Sequence, residues 1–131
     1  SIFEMISNVE PHMVFGPFPD RHIDHRLVFD SVMVATRPVG VGKKIEIVAA
    51  YETLSETNQN FIDGKIFLPN VFINIEKYID QKINVMNIYK SEIGIHPFPR
   101  SEKAIKALSV LRGSQSNYKE AEAFELVFEC L

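Results

Sequence analysis

The sequence has one cysteine, Cys130, no internal repeat and no low-complexity tract. A lone thiol forms no intramolecular disulfide, so nothing points to an oxidising compartment, and a cytoplasmic location is expected. The apolar runs fall far short of the ~20 residues a helix needs to cross a bilayer. The first residues also lack the basic stretch, apolar segment and cleavage site of a leader. No membrane span is expected. Lysines and arginines are scattered, the formal charge is −3 and the pI is near 5.8. Without a basic patch, no nucleic-acid partner is expected.

What is present suits an ordered domain: 131 residues, 46% apolar and 24% charged, enough to bury a core. Residues 1–9 carry Ile2, Phe3, Ile6 and Val9 at helical spacing and read as the tail of a helix, broken at Glu10-Pro11. His12–Gly16 is a compact apolar run that suits a strand buried on both faces. Gly16-Pro-Phe-Pro19 ends it in a loop. From His25 to about Arg37, Val28, Val32 and Ala35 make one helical face. Lys44–Glu52 reads as a second strand, and polar Thr53–Lys65 as a long surface loop of the kind that is often functional. Ile66–Ile75 is strand-like around Pro69-Asn70, which makes it an edge or broken strand. Residues 76–90 place Ile79, Ile83, Met86 and Tyr89 on a helix, and Ser101 N-caps another that runs to about Arg112. The final stretch, AEAFELVFECL, fits a short helix or a strand. This order predicts an α/β fold, a three-layer sandwich.

The chemistry concentrates in Asp20-Arg-His-Ile-Asp-His25, where a strand gives way to a helix. In open α/β sheets, ligands collect beyond the carboxyl ends of strands. Two imidazoles at i and i+3 share one side of a first helical turn. One can bind a first-row metal while the other donates a proton or steadies an oxyanion. Asp24 or Asp20 can accept an imidazole N–H and set its tautomer. The same spacing also suits a plain aspartate N-cap beside two exposed histidines.

The G-P-F-P loop followed by D-R-H-I-D-H-R, with Tyr51-Glu-Thr53, Leu68-Pro-Asn70, His96-Pro-Phe-Pro-Arg-Ser101, Arg112-Gly113 and Ala121-Glu-Ala-Phe124, closely resembles the LmbE-like (PIG-L) family of zinc-dependent sugar N-deacetylases. Ile23 stands where that signature usually has proline. The resemblance implies a Rossmann-like three-layer sandwich with a mostly parallel sheet, of which residues 1–131 form the C-terminal part of a single domain. It implies Zn2+ as cofactor, bound by His25. His22, supported by Asp24, would stabilise the tetrahedral intermediate, and the substrate would be an N-acetylglucosamine-type amino sugar. The family's first signature, A-H-x-D-D, supplies its other ligands and general base and is absent from these residues. The expectation is a metal-dependent hydrolase that is inactive as this stretch alone.

Two other classes stand beside that one: a non-catalytic carbohydrate-binding or interaction domain derived from the same fold, and a metal hydrolase of another substrate, such as a phosphoesterase, completed by a partner chain. His96 and Arg100 are candidates for substrate contact, each with a structural alternative, a loop hydrogen bond or a salt bridge. Asp20 is a candidate support for a histidine. Tyr51 and Glu52 sit where a substrate hydroxyl could meet them, and His12 reads as structural. Glu122, set among small and apolar residues, needs a partner such as Arg100 or Arg112. Phe61, Phe67 and Phe72 read as core or subunit interface. An incomplete sheet would expose an edge, so a homo-oligomer is one expected state.

Overall fold

The computed structural model describes residues 1–60 and 64–130; Phe61 lies outside them. The elements run α1 (Ile2–Val9), β1 (Met13–Pro17), α2 (Ile23–Ala35), β2 (Ile47–Tyr51), β3 (Val71–Asn74), α3 (Ile79–Met86), α4 (Glu102–Ser114) and β4 (Ala121–Glu129). Short 3-10 turns cover Gly40–Lys44 and Thr57–Gln59. The chain divides into two compact units, Ser1–Asn70 with Phe124–Leu131, and Val71–Ala123.

In the first unit, Ser1 caps α1, its hydroxyl accepting the Glu4 N–H in a capping box. Glu10, at φ 48, ends that helix in the left-handed region. α2 ends on Thr36, whose Oγ1 donates to the Val32 carbonyl at 2.8 Å, just before Arg37-Pro38 stops helical backbone. Gly42 is required in the turn that follows, because a Cβ there would sit 2.2 Å from the Arg37 carbonyl oxygen. α1 and α2 cover one face of the β1–β2 pair. Ile6, Val32, Ala35, Ile45 and Val48 form the core, with Val14 and Phe128 packed against it. Each of the isoleucine, valine and phenylalanine side chains contributes roughly 1.5–3 kcal/mol on full burial.

The strand order is β1-β2-β4-β3. β1 and β2 are parallel, with Val14 opposite Val48. β2 and β4 are antiparallel, with Tyr51 opposite Phe124. The Asn70 N–H donates to the Phe124 carbonyl and the Ile75 N–H to the Glu120 carbonyl, so β3 also runs against β4. The sheet is therefore mixed and mostly antiparallel, which overturns the Rossmann-like, mostly parallel sheet expected from the sequence. The cause is β4. The C-terminal stretch forms a strand rather than a helix, and it runs opposite to both of its neighbours.

β4 also carries a bulge. Val48 pairs with Phe128 while Ala49 pairs with Leu126, leaving Val127 as the extra residue. Phe124 and Phe128 are four apart, which in a regular strand puts them on one face. Instead Phe128 packs with Val14 in the helix-covered core, and Phe124 meets Phe15, the next residue along β1, at 5.1 Å between ring centroids. The bulge switches the face.

β1 is an outermost strand, so Met13 and Phe15 remain exposed, against the expectation of a strand buried on both faces. In the second unit the buried apolar residues are Ile75, Ile79, Ile83, Ile105, Ala121 and Ala123. β3 is an edge strand, as the proline before it implies. Ser101 caps α4, accepting the Ala104 N–H, and the helix continues past Gly113 to Ser114. α3 spans only Ile79–Met86 of the helix expected over 76–90. Among the described residues, no helix is long and apolar enough to cross a membrane.

Candidate functional site

The site lies beyond the carboxyl ends of the two parallel strands. After β1, Phe18 and Pro19 turn the chain, with the Phe18 N–H donating to the Tyr51 carbonyl at the end of β2 at 2.8 Å. The Asp20 N–H then donates back to the Phe18 carbonyl at 2.8 Å, a tight turn that aims the Asp20 carboxylate inward. That side chain has 0% exposure. A buried carboxylate is tolerated only when its oxygens are matched by donors, and here they are. Oδ1 accepts the His22 N–H at 2.9 Å and the His25 Nδ1–H at 2.8 Å, and Oδ2 accepts the Thr57 hydroxyl at 2.8 Å. Arg26 closes the loop by donating from one guanidinium nitrogen to the carbonyls of Asp20 and Arg21.

His22 is the N-cap of α2, in extended backbone. Its Nδ1 accepts the Asp24 N–H at 3.2 Å, doing with an imidazole what serine or aspartate usually does at this position. Asp24 lies in the first turn, where the helix dipole favours its charge. Its carboxylate is largely exposed and 3.9 Å from His22 Nδ1. The two rings stack with centroids 4.8 Å apart.

These bonds fix opposite tautomers. An ionised carboxylate only accepts, so His25 Nδ1 carries the hydrogen and its Nε2 keeps a lone pair, on the side of the ring away from Asp20. A backbone N–H only donates, so His22 Nδ1 is the bare nitrogen and its Nε2 carries the hydrogen. Two neighbouring imidazoles thus present one ligand-type nitrogen and one N–H donor.

A catalytic zinc typically takes three protein ligands. Among the described residues, no group of three or more His, Cys, Asp or Glu side chains comes together that could hold a metal ion. His25 offers one nitrogen, and Asp20 is committed to the far side of that ring. The described residues therefore do not make a zinc site by themselves.

Spacing in the sequence marks neither Thr57 nor Arg26 as part of this cluster. Thr57 reaches Asp20 across a separation of 37 residues, which leaves no local signal beyond the length of the loop that carries it. Residues 53–58 of that loop are well stitched. Thr57 Oγ1 accepts the Thr53 N–H at 2.8 Å, Asn58 Oδ1 accepts the Ser55 N–H at 2.9 Å, and Arg21 lies 3.7 Å from Glu56. Phe67 packs edge-on against Phe18 at 5.4 Å. Tyr51 is partly buried, and the desolvation pushes its phenol above the ordinary tyrosine range. His12 pairs with Glu46 at 3.3 Å, in keeping with a structural role.

His96 and Arg100 belong to the second unit. His96 is exposed and precedes a cis proline. Arg100 is tied to Glu92, donating from Nε to its carbonyl at 2.7 Å and lying 3.2 Å from its carboxylate, with Phe98 stacked beneath the guanidinium. Glu122 meets Lys82, a partner the sequence reading did not name.

The fold has counterparts among solved structures. No protein-family model matches the chain. Among solved structures it is similar to a conserved protein of Thermus thermophilus, with a TM-score of 0.76 at 22% identity, over 99% of this chain and 58% of that one. It is also similar to the N,N'-diacetylchitobiose deacetylase of Pyrococcus horikoshii in complex with an inhibitor, with a TM-score of 0.67 at 16% identity, over 96% of this chain and 49% of that one. At these identities the likeness shows a shared fold. This chain spans roughly half the length of each.

Proposed function

We propose that this chain forms part of an LmbE-like domain and supplies one side of a zinc-dependent amide hydrolase that removes the acetyl group from N-acetylglucosamine-type sugars. The observation that carries the reading is the pair of Nδ1 contacts, a carboxylate for His25 and a backbone N–H for His22, which favour opposite tautomers. His25 offers Nε2 as a single metal-ligand nitrogen, with Asp20 behind it in the carboxylate–histidine arrangement that orients such ligands. His22 offers Nε2–H as the donor that meets negative charge on the acetamide oxygen as water adds and the C–N bond breaks to release acetate and the amine. Asp24 holds His22 in that tautomer through its backbone N–H. The similarity in fold to a deacetylase of an acetylated sugar supports the substrate class. The remaining ligands and the general base come from outside these residues.

The test uses the gene product that contains this sequence, loaded with zinc and assayed for acetate release from N,N'-diacetylchitobiose and N-acetylglucosamine. Activity is expected, and His22→Ala is expected to lower kcat by about 10²–10³ with little change in KM. Sugar binding without acetate release would favour the carbohydrate-binding reading instead. For the chain alone, less than one equivalent of zinc is expected to survive dialysis; one equivalent held tightly by a monomer would sink the claim that ligands lie elsewhere.

A further inference from the structure

Among the described residues, the loop after β2 reaches the buried Asp20 carboxylate through the hydroxyl of Thr57. We propose that Thr57 is a positioning residue that holds His25 in its working tautomer by fixing the Asp20 carboxylate. The proposal takes its purpose from the hydrolase reading above, but its measurement does not depend on it.

The argument starts from the carboxylate. A buried carboxylate that accepts from only one side is free to rotate about its Cβ–Cγ bond, and an imidazole beside it can turn with it. Here the rotation is fixed at both oxygens. Oδ1 is held by the His22 N–H at 2.9 Å and Oδ2 by the Thr57 hydroxyl at 2.8 Å. With both ends held, the two oxygens face His25 Nδ1 together, at 2.8 and 3.0 Å, which favours the hydrogen on Nδ1 and leaves Nε2 bare. The Thr57 hydroxyl is itself aimed. Its oxygen accepts the Thr53 N–H at 2.8 Å, so its own hydrogen is left to point at Asp20. The tautomer of a histidine at the start of α2 is thus set from a loop 37 residues away from Asp20 in sequence.

His22 supplies an internal control. Its tautomer depends on the Asp24 N–H rather than on Asp20 or Thr57 side chains. Long-range proton–nitrogen correlation spectra of the 131-residue chain, recorded at alkaline pH, report each tautomer separately. In the unmodified chain, His25 is expected as the Nδ1–H form and His22 as the Nε2–H form. Thr57→Val keeps the shape and removes the hydroxyl. It is expected to lower the His25 Nδ1–H to Nε2–H ratio by about tenfold, the scale of one lost hydrogen bond to a charged group, with His22 unchanged. Thr57→Ser restores the hydroxyl and is expected to restore the ratio. An unchanged His25 in folded Thr57→Val would overturn the proposal, and so would both histidines shifting together, which is general loosening. If Thr57→Val does not fold, the unmodified chain decides: the Thr57 hydroxyl proton must be slow to exchange and in dipolar contact with the His25 ring, and a fast-exchanging hydroxyl refutes the proposal. Absence of deacetylase activity with these tautomers intact would count against the hydrolase reading alone.

Discussion

Replacing Asp20 with alanine removes the acceptor of three donors at once, the His22 N–H, the His25 Nδ1–H and the Thr57 hydroxyl. Each buried donor left unsatisfied costs about 1–3 kcal/mol, which sets a ceiling near ~9 kcal/mol if all three are stranded. Two of them have an escape. The Thr57 hydroxyl can rotate, and His25, whose side chain is 21% exposed, can move its hydrogen to Nε2 or turn toward water. The His22 N–H is held by the helix start and has neither option. The expected destabilisation is therefore about 3–4 kcal/mol, since coupled losses do not add in full. Asp20→Asn keeps the shape and one acceptor oxygen. Its amide nitrogen faces Thr57, which can turn to accept, so a cost of about 1–2 kcal/mol is expected. For a chain of this size a urea slope near ~2 kcal/mol/M converts these to midpoint losses of roughly 1.5–2 M for alanine and under about 1 M for asparagine. Urea unfolding followed by far-UV circular dichroism reads both. An alanine variant costing less than ~1 kcal/mol would refute the reasoning, as would an asparagine variant as damaged as alanine.

Three further expectations follow from the same geometry. Gly42→Ala places a methyl group 2.2 Å from the Arg37 carbonyl oxygen and forces the turn open, whereas Gly40→Ala meets nothing within 4 Å and bears only its left-handed φ of 58. Gly42→Ala should cost about 2–3 kcal/mol and Gly40→Ala about 1–2 kcal/mol, ranked by thermal midpoint; the reverse order would contradict the turn geometry. Ser101→Ala removes the cap of α4 from a residue only 2% exposed and should cost about 1 kcal/mol, with Ser101→Asp closer to wild type. Burial raises the Tyr51 phenol, so its folded pKa exceeds its unfolded one. The neutral form is the one the fold favours, and its contribution to stability is complete below about pH 10 and lost as pH rises through the raised folded value. Tyr51→Phe should flatten that alkaline limb of the stability profile; an unchanged limb would assign it to other groups.

Much of the local structure is legible because local physics decides it. Ile2 and Ile6 on α1, Val28, Val32 and Ala35 on α2, and Ser101 ahead of α4 each announce their element through spacing or capping. The sheet direction is not legible in the same way. It depends on Tyr51 pairing with Phe124, a contact with no local signature, and on a C-terminal strand whose bulge at Val127 breaks the alternation that would mark it as a strand. The histidines nevertheless lie beyond the carboxyl ends of β1 and β2, because these are the pair that do run parallel.

The candidate site divides the same way. The sequence shows two histidines three apart, and spacing alone treats them alike. They are distinguished by what each Nδ1 meets: a backbone donor within the first turn of α2 for His22, a buried carboxylate before the helix for His25. The first contact is local to the helix start. The second depends on Asp20 being wholly buried, which in turn depends on Thr57 arriving from beyond β2 to satisfy its second oxygen. A buried Asp20 without Thr57 would carry an oxygen matched only by the edge of the His25 bond at 3.0 Å, and would be expected to draw in water or rotate away. The bare Nε2 of His25 therefore rests on the loop after β2 as much as on the motif itself, whereas the Nδ1 contact of His22 is set at the helix start alone.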